Sequence, residues 1–80
     1  MSERRENIGH RKDLRARRKI VAAEVNSCRD SIRSALPAVG DPEDILGDHV
    51  LNLALALKEK CDELSGLDRK IIILTRELEG

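Results

Sequence analysis

Residues 46–78 read LGDHVLNLALALKEKCDELSGLDRKIIILTREL, and their apolar positions decide the fold. Leu46, Val50, Leu53, Leu57, Leu64, Leu67, Ile71, Leu74 and Leu78 follow one another at alternating intervals of three and four residues, with Lys60 as the single polar member of the series. A spacing that averages 3.5 residues keeps one helical face turned toward a partner helix over many turns, so this half of the chain predicts a coiled-coil helix whose seam is a partner-binding surface. Lys60 can lay its methylenes along apolar neighbours while its ammonium reaches out. A single polar seam residue of this kind commonly sets register at some cost in stability, so Lys60→Leu is expected to be stabilising. A small rotation of the helix would instead turn Cys61 inward.

Working back from that stretch, Asp41-Pro42-Glu43-Asp44 carries the signals of a helix start. Asp41 can cap free amides, Pro42 suits the first helical position, and two further acids complement the helix dipole. A second 3,4 series precedes it, with Leu14, Val21, Cys28 and Ala35 in one row and Val25, Ile32 and Val39 in the other, interrupted by Arg18. Pro37 should end that helix at about Leu36, and Gly40 allows the chain to reverse. The reading is all-α: a polar arm over 1–9, then an antiparallel helical hairpin over 10–80 with a helix at 10–36, a turn at 37–41 and a helix at 42–79. Ser65-Gly66 marks a possible break, but Leu64, Leu67 and Ile71 stay in phase through it, which favours one long helix.

The chain of 80 residues contains no Phe, Tyr or Trp, so its core must be aliphatic and narrow. A domain this small holds only about 3 to 5 kcal/mol of net stability. Ile45, Leu51, Leu55, Ile72 and Ile73 lie outside the main seam, and Leu51, Leu55, Ile72 and Ile73 in particular form a second apolar surface on the same helix. One neighbouring helix cannot cover both, which points to completion as a dimeric four-helix bundle or to docking on another protein.

Basic and acidic residues balance at 15 each but are segregated. Residues 1–19 hold Arg4, Arg5, Arg11, Lys12, Arg15, Arg17, Arg18 and Lys19 against Glu3, Glu6 and Asp13, while residues 41–80 have an acidic excess. Antiparallel pairing would set the basic start beside Glu77 and Glu79. Arg11, Lys12, Arg15, Arg18 and Lys19 also make a candidate anion-binding group, and a basic region before heptads resembles the layout of leucine-zipper factors. Their basic helix carries an Asn three residues before an Ala-Ala pair, where this chain has Lys19 before Ala22-Ala23. No apolar run approaches the roughly 18 residues needed to span a bilayer, and no signal peptide is visible, so the expectation is a cytoplasmic protein without membrane contact.

Val50-Leu51-Asn52-Leu53 with Leu57, after Cys28-Arg29 and Ile32, resembles the core pattern of the small helical-hairpin aspartyl-phosphate phosphatases of sporulation control. Those proteins carry a Ser-x-x-Leu-Asp motif on the second helix; Ala54 and Lys58 stand at the matching places here, so the activity does not carry over. The hairpin co-chaperones of type III secretion needles are similar in length and layout. No metal-ligand spacing, phosphate loop or Ser, His and acid arrangement appears. Asp44, Asp48 and His49 read as a helix start dressed for its dipole, and Cys28 and Cys61 as small apolar residues too far apart in a hairpin to bond. The expectation is no enzyme and no cofactor. It is instead an adaptor, regulator or chaperone acting through protein contacts, as a homodimer or on a partner, with a nucleic-acid-binding dimer as the alternative.

Overall fold

The computed structural model describes residues 2–79. Two long helices, α1 (Ser2–Ala35) and α2 (Gly47–Glu79), lie antiparallel in a rod of 63 × 15 × 14 Å. Hydrogen bonds mark the register. Arg4 donates to the Leu78 carbonyl at 3.1 Å, Arg11 to the Thr75 hydroxyl at 3.4 Å, and Arg18 to the Asp68 carboxylate. Lys60 lies 3.0 Å from Glu24. Between the last two contacts the register places Val21 opposite Leu64, and beyond them Cys28 opposite Leu57. Val21 is fully buried and Leu67 nearly so, while the remaining apolar seam residues are half-covered. A single helix pair can do no more than this, because each helix shields only one side of the other.

The two helices depart from the sequence reading at their starts. α1 begins at Ser2 rather than His10, so residues 2–9 are helix and not a loose arm; Met1 lies outside the described residues. The seam continues backward as Leu14, Arg11 and Asn7, all half-buried. Arg11 and Asn7 are polar, so a search for apolar periodicity stops at Leu14. Gly9 sits in this first stretch, where glycine costs a helix about 1 kcal/mol relative to alanine. A Cβ at Gly9 would meet nothing within 4 Å. Gly9→Ala is therefore expected to raise stability by about 0.5 to 1 kcal/mol, read as a higher thermal midpoint by circular dichroism. An unchanged midpoint would mean that the segment is not helical.

The second departure is at the turn. Pro37 closes α1 as expected, and Gly40 carries the chain round with φ 138°, a conformation open to glycine and strained for other residues. Asp41, however, makes no side-chain cap. Pro42–Asp44 form a single 3₁₀ turn closed by Ile45 N–H donating to the Pro42 carbonyl at 3.2 Å. Ile45 is extended, which interrupts the ladder before α2 can begin, so the helix starts at Gly47 instead of residue 42. Leu46 is thereby left outside α2 at 66% exposure and drops out of the seam, which begins at Val50. α2 runs unbroken through Ser65 and Gly66, as the phase of Leu64, Leu67 and Ile71 requires.

Candidate interaction surface

Helical periodicity separates α2 into two apolar faces. Val50, Leu53, Leu57, Leu64, Leu67, Ile71, Leu74 and Leu78 turn toward α1 and are half-covered or buried. The seven-residue row Asp48, Leu55, Asp62, Arg69 and Arg76 lies on the opposite side, flanked by Leu51, Ile72 and Ile73. Leu51, Leu55, Ile72 and Ile73 are 57%, 54%, 49% and 55% exposed. The four residues read from the sequence as a second surface thus face away from the hairpin's own core. They fall in two clusters, one toward the turn and one toward the chain ends. At the turn itself Leu36, Val39 and Ile45 add further exposed aliphatic surface, and Val39 and Ile45 line a depression of about 390 Å³.

Lys60, not Cys61, is the residue turned inward. Its side chain is 29% exposed and lies between Glu24 at 3.0 Å and Glu63 at 3.8 Å. The hydrogen bond to Glu24 raises its pKa above the ordinary lysine value, against the opposing cost of partial burial. The other Glu24 carboxylate oxygen is buried without a partner among the described residues. Cys61 is exposed, which corrects the buried reading; Cys28 is half-buried and both thiols are free.

The candidate anion-binding group divides in two. Arg11 and Arg18 occupy seam positions, where Thr75 and Asp68 engage part of each guanidinium. Lys12, Arg15 and Lys19 are exposed, and Arg5, Arg29 and Arg33 lie on the same 3,4 row of α1, which Ile8, Ala22 and Asn26 interrupt. The signal was present in the sequence as a series offset by one position from the seam, beginning with Arg5 and Lys12. The acids that pair with the basic segment are also different from those expected. Arg17 reaches Glu63 at 2.7 and 3.1 Å and Arg18 reaches Asp68, whereas Glu77 and Glu79 make no ion pair among the described residues. Arg17's hydrogen bond holds the Glu63 carboxyl below its ordinary pKa. These pairs are solvent-facing, so water screens them and they add little to stability. The other broad side of the rod carries Glu3, Glu6, Asp13, Glu59 and Glu63 together with Arg17 and Lys70, so the basic stripe lies on one side and an acidic excess on the other.

An open depression of about 510 Å³ brings together Ser27, Asp30, Ser31, Ser34, Ala35 and His49. A Ser, an acid and a His are therefore neighbours here, although they are distant in sequence. No hydrogen bond joins His49 to any of them among the described residues, so the arrangement lacks the nucleophile–base contact that acyl-transfer chemistry uses. Among the described residues no three His, Cys, Asp or Glu side chains converge as a metal site, and no helix is long and apolar enough to cross a membrane. No family model, no curated protein and no solved structure matches this chain.

Proposed function

We propose that the chain works by protein–protein contact, as a small cytoplasmic adaptor, regulator or chaperone-like hairpin that lays the outward face of α2 on another helix. The observation that carries this reading is the exposure of Leu51, Leu55, Ile72 and Ile73 on a helix whose other face is already in use. The surface total agrees: the chain exposes 6331 Å², against about 4,900 Å² for a compact monomer of 9.0 kDa. The excess of about 1,400 Å² is more than the roughly 800 Å² per partner that a stable interface buries.

A second reading, a nucleic-acid-binding dimer, draws support from the exposed stripe of Arg5, Lys12, Arg15, Lys19, Arg29 and Arg33. Zero net charge and the absence of stacking aromatics weigh against it. Salt separates the two. Sedimentation equilibrium should find association that barely changes between about 50 and 200 mM salt, because apolar contact is little screened, whereas phosphate binding falls steeply over that range. A chain that stays monomeric and binds only a nucleic-acid duplex, with that salt dependence, would overturn the contact reading.

A further inference from the structure

Resting on the contact reading above, we propose that the occupant of α2's outward face is the same face of a second copy, running antiparallel about a dyad near Glu63. An isologous contact demands that whatever residue i touches, residue j of the other copy touches in return. α2 spans Gly47–Glu79, which puts its middle at Glu63. Leu51 and Leu55 lie about 15 Å to one side of that point and Ile72 and Ile73 about 15 Å to the other, at 1.5 Å per residue. Turned end for end, a second α2 brings its Ile72 and Ile73 over Leu51 and Leu55, and the dyad repeats the contact. Ser65 and Gly66 lie in the span between the clusters, and their small size leaves the two backbones room to approach.

Charge selects the same orientation. The outward row of α2 carries Asp48 and Asp62 in its first half and Arg69 and Arg76 in its second. Antiparallel placement sets Asp48 of each copy beside Arg76 of the other at both ends of the contact, and only Asp62, next to the dyad, meets its own counterpart; parallel placement would set every charge of the row on its like, which disfavours that arrangement. The rods as wholes agree. The turn end has Asp41, Glu43, Asp44 and Asp48 with no Lys or Arg between Arg33 and Lys58, and the opposite end carries the basic start of α1. A dyad that exchanges two outward α2 faces and reverses the rods runs perpendicular to the plane of the hairpins. It therefore keeps each broad side where it is, and the two α1 basic stripes fall on one side of the dimer.

The experiment is double electron–electron resonance on the full chain with a nitroxide at Asp44→Cys in a Cys28→Ala, Cys61→Ala background, with mass measured by light scattering. A dimer whose labels lie close to one rod length apart, 63 Å, is expected. A dimer with labels within roughly 30 Å, the separation of two tips side by side, overturns the antiparallel arrangement and leaves the contact reading standing. A monomer without dipolar coupling overturns the self-pairing proposed here and leaves docking on another protein's helix standing. If the substituted background loses its helicity, charge reversal in the natural background decides. Arg69→Glu with Arg76→Glu should weaken self-association about tenfold, and equimolar Asp48→Lys with Asp62→Lys chain should restore it. Failure of that mixture to associate overturns the proposal.

Discussion

Val21→Asp is expected to leave the chain unfolded at room temperature. Among the described residues Val21 is the one side chain with no exposure at all, and it projects from α1 against the Leu64–Leu67 stretch of α2. A carboxylate placed there has no water, and the nearest seam cations, Arg18 and Lys60, are already held by Asp68 and Glu24, so burying it costs on the order of 4 kcal/mol or more. That matches the whole stability of a hairpin holding about 3 to 5 kcal/mol. Position should grade the effect. Leu57→Asp, opposite Cys28 and only half-covered, is expected to cost on the order of 2 to 3 kcal/mol because its carboxylate reaches solvent. Arg11→Ala, which removes a long hydrogen bond to Thr75, should cost about 0.5 kcal/mol. Urea titrations followed by circular dichroism would rank the three, and a Val21→Asp chain that unfolds like its parent would show that the helix register is wrong.

Lys60→Leu is expected to destabilise, reversing the sign that the seam pattern alone suggests. Read from periodicity, a leucine there completes the apolar series. In the hairpin, however, Lys60 is the hydrogen-bond partner of Glu24 and lies beside Glu63, and Glu24 already has one buried carboxylate oxygen without a partner. Removing the ammonium leaves a half-covered carboxylate uncompensated, and that loss outweighs the added apolar contact. Replacing both members, as Glu24→Leu with Lys60→Leu, should restore or exceed the parent's thermal midpoint, because an apolar pair of similar volume needs no desolvated charge. A single Lys60→Leu chain that melts above the parent would show that the pair adds nothing and that the seam pattern was sufficient.

Most of the fold was legible because it rests on local and periodic information. The 3,4 spacing of Val50 to Leu78, the stop at Pro37 and the reversal at Gly40 each follow from residue chemistry within a few positions. The second apolar surface was legible in the same way, since Leu51, Leu55, Ile72 and Ile73 are out of phase with the seam. The helical start of α1 was not, because Asn7, Arg11 and Arg18 hold seam positions with polar side chains. Their fit depends on Thr75, Asp68 and the end of α2, more than fifty residues away in the chain for Arg11 and Asn7. The start of α2 misled for a different reason: Asp41-Pro42 has the composition of a helix cap, and the extended backbone at Ile45 divides that turn from the helix proper.

By itself, then, the sequence determined that two helices form, where the chain turns, and which residues of α2 can face a partner. Those properties depend on intervals of three, four and seven residues along one chain. Only the tertiary structure decided which charges are spent inside the hairpin and which remain on its surface. Arg11, Arg18 and Lys60 are engaged across the seam, Cys61 is turned out, and Arg5, Lys12, Arg15, Lys19, Arg29 and Arg33 are left exposed on one side. The physical reason is register. A helix fixes the angle of every side chain about its own axis, but the identity of the neighbour across the seam depends on how far one helix slides along the other, and the length and geometry of the turn from Leu36 to Leu46 set that sliding.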